Sequence, residues 1–541
     1  MLANRAPAGC IAAGTLDAVG GSTDQNNVMR SSLAALLFAA SMLAAMPTPA
    51  QSPVPPQPAA ESSTPLVTPP AAAMPPASAM SPATAVPAAV AAPAGLATPA
   101  GLAAPATSAA VQSAAPAAAP APAVPAPLTR PTLVPQASLN GADTAWMLTA
   151  TALVLLMTLP GIALFYGGMV RRKSVINTMA CVVAITALTS VLWFAVGYSL
   201  AFTPGSPWLG GTDRAWFAGM SYIKEAGKVM VSHAAPNVPE SVYAMFQLTF
   251  AVITAALVIG SFVERMKFSA MLVFAGLWSV LVYAPVAHWV WEPGGWLNQM
   301  GALDFAGGSV VHVNAGVSGL ACAYVLGPRR GYGREAFEPF NLGLTMAGAG
   351  LLWVGWFGFN AGSAIAADGR AGLAMAVTHL AASGGAMAWM LAEWLVRGKP
   401  SLLGLCSGVV AGLVAITPAA GYVDLPSSLL IGALAGITCY WGATGLKRVL
   451  GADDSLDVFG VHAVGGMLGS LLTGLFASKA IGGVDGRLLA QAIDVGAVAL
   501  YAFVASLVLL LVLQKVMGLR VDDRTEQAGL DIAQHRERLG A

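Results

Sequence analysis

From Thr144 onward, apolar stretches long enough to cross a bilayer follow one another, separated by short polar connections. About 20 consecutive apolar residues span the hydrocarbon core as a helix. The pattern predicts eleven such helices, with cores at 146–169, 179–202, 242–263, 269–291, 307–327, 341–363, 372–396, 402–419, 427–446, 458–477 and 491–517. Basic residues mark one side of them: Arg171 to Lys173, Arg265 with Lys267, Arg329 with Arg330 and Arg334, Arg397 with Lys399, and Lys447 with Arg448 all follow odd-numbered runs. The connections after the fourth and eighth runs have no Lys or Arg. Positive charge stays on the cytoplasmic side, so the N-terminus is predicted outside and the C-terminus inside.

The first 140 residues follow another pattern. "MRSSLAALLFAASMLAAM", Met29 to Met46, joins a basic residue to an apolar run, and "PTPAQS" follows. That is the layout of a secretory signal peptide, with cleavage after Ala50. The preceding 28 residues make a poor start to such a signal, so translation is predicted to begin at Met29; N-terminal mass spectrometry finding peptides from residues 1–28 would contradict this. Gln51 to Gln136 is almost all Ala and Pro with some Ser and Thr, a composition too poor in apolar bulk to offset the entropy of ordering. The expected organisation is an N-terminal extension and signal peptide (1–50), a disordered extracytoplasmic spacer (51–140), a transmembrane domain (141–518) and a cytoplasmic tail (519–541).

Composition sharpens the class. The chain has 541 residues, 56% hydrophobic and 9% charged, and a mean hydropathy of +0.70, which excludes an ordinary soluble domain. Its net charge of +1 gives no footing for a nucleic-acid partner. Cys181, Cys322, Cys406 and Cys439 lie in apolar segments without C-x-x-C spacing, so neither a disulfide framework nor a zinc site is predicted, and no cofactor is implied.

The chemistry lies in the few polar residues of the spans. "VVHVNAGVSG" around His312 in the fifth run resembles "GVHAVGGMLG" around His462 in the tenth, each with V-H-x-x-x-G and each preceded by an aspartate, Asp304 and Asp457. On the predicted topology the two runs cross in opposite directions, which points to inverted repeats, helices one to five against six to ten plus one extra helix, with a transport site between them. Paired histidines also suit zinc, but no third ligand at helical spacing accompanies them. Asp304 opens its helix, where a carboxylate caps free N–H groups; its predicted role is structural and electrostatic, shaping the outer vestibule, and Asp457 is expected to cap the tenth helix. Phe246 and Phe250 share a helix face, "WVGWFGFNAGS" gathers Trp353, Trp356, Phe357 and Phe359 ahead of Ser363, and Trp291 ends the fourth run. Packing and an interfacial aromatic belt account for such residues as readily as a cation-binding face does.

"PGIALFYGGMVRRK", "GSFVERMKFSA", "GALDFAGGSVVH", "GWFGFNAGSA", "KPSLLGLCSGVVAGLVAITPAAG" and "DVFGVHAVGG" together resemble the ammonium transporter (Amt/Mep) family over nearly all of residues 143–535. The resemblance implies an all-α membrane protein of eleven helices, a homotrimer in the inner membrane of a bacterium, and ammonium or ammonia as substrate, with methylammonium as analogue. By it Trp291, Phe250 and Ser363 form the outer recruitment site with Asp304 near the vestibule. Phe250 and Phe359 form the gate, and His312, His462, Trp356 and Thr417 line the pore. Trp291 and Ser363 set the chain with the Amt/Mep branch rather than the related Rh proteins. The tail, with "GLD" and His535, resembles the segment that in bacterial relatives helps dock a trimeric PII signalling protein. A PII-coupled sensor and a neutral-gas channel are the alternatives, whereas an intramembrane enzyme lacks a nucleophile or metal beside the histidines.

Overall fold

The structure, a computed structural model, describes residues 127–540. The signal peptide, the predicted start at Met29 and most of the spacer lie outside these residues. Among the described residues, ten helices are long and apolar enough to cross a membrane: α1 (Gly141–Met169), α2 (Arg172–Phe202), α3 (Glu240–Ser261), α4 (Phe268–Met300), α5 (Gly308–Leu326), α6 (Leu342–Gly362), α7 (Gly369–Arg397), α9 (Leu425–Val449), α10 (Phe459–Phe476) and α11 (Leu488–Met517). Between α7 and α9 lies the shorter apolar helix α8 (Leu402–Ile416). Each of the eleven predicted cores therefore falls on a helix, and ten of these meet the length of a crossing.

Local sequence sets the helix ends. Asn341, Asp368, Ser401 and Asp424 each accept a backbone N–H from the first turn of α6, α7, α8 and α9, which satisfies donors a helix start leaves free. Gly398 closes α7 in the left-handed conformation, φ 77°. Inside α1, Pro160 cannot donate an N–H, and the helix widens there into a π-helical turn over Met157–Ile162. Wide turns of the same kind open α5 at Gly308–Val313 and α10 at Phe459–Ala463. Each contains one of the two histidines.

Burial sorts the helices. In α3 and α5, 89% of the apolar window is covered by other parts of the protein, against 28% in α2 and α11; the first two are the interior of the bundle. At the α5/α10 crossing the backbones touch. A Cβ on Gly316 would stand 2.4 Å from the Ala463 nitrogen, and one on Gly466 2.8 Å from the Gly308 oxygen. Only glycine permits that approach.

Two expectations are corrected. The protein is not all-helical: β1 (Thr132–Pro135), β4 (Tyr222–Ile223) and β6 (Ala235–Pro239) pair antiparallel with β5 (Lys228–Ser232), and β2 (Gly205–Ser206) pairs with β3 (Leu209–Gly210). The spacer was also expected to run unstructured to residue 140, yet its last residues form β1, in register Thr132 to Val231 through Pro135 to Lys228. "TLVP" has the β-branched and apolar residues that suit a strand; Pro135, which has no N–H, is its last residue, and Gln136 N donates to Gly227 O at 2.8 Å just beyond it.

The opposite end of the bundle carries the C-terminal tail. Lys267 N donates to Leu519 O at 2.9 Å and Val521 N to Arg265 O at 3.1 Å. Asp531 Oδ1 accepts Asn177 N at 2.8 Å, and Glu526 Oε1 accepts Arg330 N at 2.7 Å. Above the tail, Arg329 bridges the buried carboxylates of Glu264 and Asp453, and Arg171 Nε adds a 2.8 Å bond to Glu264.

Candidate functional site

A column of aromatic rings runs inward from the end that carries the sheet. Trp291, which closes the main run of α4, is half-buried, and its Nε1 donates to the backbone oxygen of Asp304 at 2.8 Å. Its ring meets Phe250 of α3 edge-on at 5.6 Å between centroids, and Phe250 stacks on Phe359 of α6 at 4.2 Å and 18°. Ser363, also half-buried, joins this column through the Phe359 oxygen, to which its hydroxyl donates at 2.9 Å. Trp291 and Ser363 are thus the open members, while Phe250 and Phe359 are closed off from solvent.

Behind the phenylalanines the histidines meet. His312 lies 6.1 Å from Phe359 and stacks on Trp356 at 5.4 Å, then on His462 at 5.3 Å. Nδ1 of His312 and Nδ1 of His462 are 3.3 Å apart, a hydrogen-bond distance. Such a contact needs a proton on one Nδ1 and a lone pair on the other, so two neutral rings here hold opposite tautomers. His312 Nε2 is buried without a partner. Trp356 Nε1 donates to Thr417 Oγ1 at 2.9 Å, and Thr417 donates to Leu413 O at 2.8 Å, which fixes the indole against the histidine. Beyond His462 lies a cavity of about 10 Å³, lined by Ile162, Phe165, Ile253, Leu257 and Val410 with the Tyr166 ring. That is room for about one small molecule, and no lining residue carries a formal charge.

Asp304 sits under the mouth of this column. Its Oδ1 accepts Gly307 N and Gly308 N at 2.7 and 2.6 Å; its Oδ2 accepts Ser309 N, Ser309 Oγ and Val310 N at 2.9, 2.8 and 3.1 Å. Five donors saturate a carboxylate, so the side chain anchors the start of α5 and hence His312. At α10 the expectation fails. Asp457 turns to Lys447 at 2.5 Å, and the carboxylate that takes the first-turn N–H, Phe459 N at 2.7 Å, belongs to Asp454. The spacing explains the choice: Asp304 precedes His312 by 312 − 304 = 8 residues and Asp454 precedes His462 by 462 − 454 = 8. In "DDSLD" three acids compete for the role, and that offset was the available signal. Tyr166 was missed as well, since one tyrosine in "ALFYGG" has no periodic partner.

A bundle of membrane-length helices enclosing a narrow, uncharged path with two facing histidines defines a transporter or channel for a small solute. The Ammonium Transporter Family model matches residues 145–539. The ammonium transporter of Aquifex aeolicus is 49% identical over 411 residues, 74% of this chain and 94% of that relative. The crystal structure of Candida albicans Mep2 has a TM-score of 0.67 at 34% identity, over 72% of this chain and 88% of that one. A structure titled "Sensor Amt Protein" has a TM-score of 0.67 at 27% identity, over 73% of this chain and 98% of that one. The chain belongs to the ammonium transporter family, whose members are transport proteins and not enzymes.

Proposed function

We propose that the protein takes up ammonium across a bacterial inner membrane, recruiting the cation at Trp291, Phe250 and Ser363, releasing its proton there, and passing ammonia between Phe250 and Phe359 to His312 and His462. The observation that carries this reading is the 3.3 Å contact between the two histidine Nδ1 atoms, behind a closed phenylalanine stack and ahead of an uncharged cavity. A naked cation entering such a path faces a desolvation cost that reaches tens of kcal/mol by idealised estimate. A cation–π contact returns only about 2 kcal/mol. The aromatic mouth can therefore concentrate ammonium but cannot carry it intact through the stack, whereas neutral ammonia crosses cheaply. Opposite tautomers give the proton a separate route: as one Nδ1 passes its proton to the other, the donor ring takes up a proton at its Nε2 and the acceptor ring releases the one on its Nε2, so both rings stay neutral, the tautomers exchange and one proton is carried across the pair.

In this reading the pore is one of three in a homotrimer embedded in lipid. His379, midway along α7, supports it: the imidazole is exposed and stacks on Trp353 at 5.2 Å, an unfavourable group to present to lipid and a suitable one to cover with another copy. The basic connections and the docked tail face the cytoplasm, where a PII protein would bind. The test of cation recruitment is competition: methylammonium inhibits ammonium uptake into cells expressing the protein, and absence of competition leaves a neutral-gas channel. The likeness to the structure titled "Sensor Amt Protein" favours one second reading, a sensor whose output is a partner's binding. Flux measured without any PII protein present separates the two.

A further inference from the structure

Asp494 lies in α11 and is fully buried, and neither of its carboxylate oxygens has a hydrogen-bond partner. An ionisable side chain in that position is a functional candidate by default, because the membrane interior makes an idle one expensive. Its face of α11 is held in place one turn earlier. Gln491 accepts Leu303 N at 2.6 Å and donates to Leu303 O at 2.8 Å and to Ser470 O at 3.1 Å, so the helix is clamped to the residues that lead into Asp304. That clamp brings this face of α11 to the start of α5, and Asp304 and Ser309 there are the polar groups whose influence reaches the Asp494 carboxyl.

Two carboxyl groups facing one another in a buried setting do not both ionise; they share one proton. The hydrogen bonds decide which keeps it. Asp304 collects five donors, and Asp494 collects none. The hydroxyl of Ser309 has a single proton, already given to Asp304 Oδ2 at 2.8 Å, so toward Asp494 it can offer only a lone pair. An ionised Asp494 would meet lone pairs with lone pairs, whereas a protonated one donates to the Ser309 oxygen and completes a chain.

We infer that Asp494 is a carboxylic acid held neutral in the membrane, and that with Ser309 it forms a proton-sharing pair with Asp304 directly behind the recruitment site. The inference rests on the reading that Trp291 and Phe250 recruit ammonium, and Asp494 acts on that site through Asp304, as a positioning residue. The shift within the pair balances: the Asp494 O–H bond breaks as a new Ser309 O–H bond forms, and the former Ser309 proton bonds to Asp304 Oδ2. No proton is gained or lost, and the single negative charge moves from Asp304 to Asp494. Because Trp291 Nε1 donates to the Asp304 backbone oxygen, a cation at Trp291 sits on the Asp304 side and holds the charge there.

The test is an infrared difference spectrum of the full chain in liposomes on adding ammonium chloride, with sodium chloride as reference. The wild type is expected to show the carbonyl band of a protonated carboxyl group that moves with ammonium and not with sodium. Asp494→Asn, close in shape to the neutral acid, removes the band, and Asp494→Ser gives the same assignment if the amide variant does not fold. Ser309→Ala keeps the band but abolishes its movement. The inference is overturned if no band disappears with Asp494, if ammonium leaves the band unmoved in the wild type, or if it moves equally in Ser309→Ala. A band that moves while the wild type carries no ammonium-driven current sinks the transport reading and leaves the proton-sharing pair standing.

Discussion

Nδ1 of His312 and Nδ1 of His462 meet at 3.3 Å because α5 and α10 cross with their backbones in contact. A Cβ on Gly316 would stand 2.4 Å from Ala463 N, next to His462. Gly316→Ala must therefore push the helices apart and part the imidazoles. Overpacking of this kind costs about 1–3 kcal/mol. The expected outcome is a lower melting temperature in detergent together with a loss of ammonium-driven current; a variant that melts and conducts like the wild type would show that the crossing does not set the histidine contact.

Trp291 is the open aromatic at the mouth, edge-on to Phe250. If Trp291 recruits the cation as proposed, removing its π face with Trp291→Leu gives up a contact of about 2 kcal/mol, equivalent to roughly thirtyfold weaker capture. Half-saturation of methylammonium uptake should rise by that factor. An unchanged value removes Trp291 from the recruitment site.

Asp454 lies outside the spans, and burial, then the charge of Asp457, push its carboxyl up to about 6. In the unfolded chain an aspartate titrates near about 3.9. The folded state thus binds the extra proton between those values, and this residue makes stability fall as pH rises from about 4 through about 6. Asp454→Asn keeps an acceptor for Phe459 N and removes the titration. Melting temperatures at pH 4, 5, 6 and 7 should lose that downward slope in the variant; an identical slope would contradict the assignment.

Glu264 and Asp453 behave in the opposite sense. Burial opposes their charge, but Arg329 outweighs it and holds both below the usual carboxylate range. The stability they contribute is fully present above about pH 4 and is lost as pH falls through their lowered values. Arg329→Met leaves both carboxylates buried with their main cation gone, a change worth about 3–5 kcal/mol. Thermal unfolding at pH 7 measures it, and a loss under about 1 kcal/mol would mean that Arg171 and Arg265 suffice.

The sequence made the spans legible because the bilayer imposes one length and one polarity on each, and all eleven predicted cores fall on helices. It could not reveal the sheet, since β1 and β5 lie far apart in sequence and "TLVP" becomes a strand only beside Val229 and Val231. The paired motifs around His312 and His462 are legible in the residues themselves, whereas Trp291, Phe250 and Phe359 join them as a set only through the family resemblance; all five form one continuous column of contacts.

Carboxylates were harder. Asp304, Asp454, Asp457 and Asp494 are chemically alike, and only the direction of their hydrogen bonds separates an anchor from a partner of Lys447 or an unpartnered acid. Asp494 in particular has no motif around it. It becomes conspicuous only once Gln491 has turned that face of α11 inward.

The central claim is that ammonia and its proton part company at the gate and that the histidine pair carries the proton. The direct measurement is current on a solid-supported membrane when liposomes containing the purified protein receive an ammonium pulse, with His312→Ala in parallel. The account predicts a current in the wild type that His312→Ala abolishes while ammonia entry, followed by internal pH, persists. A current of the same size in His312→Ala would contradict it.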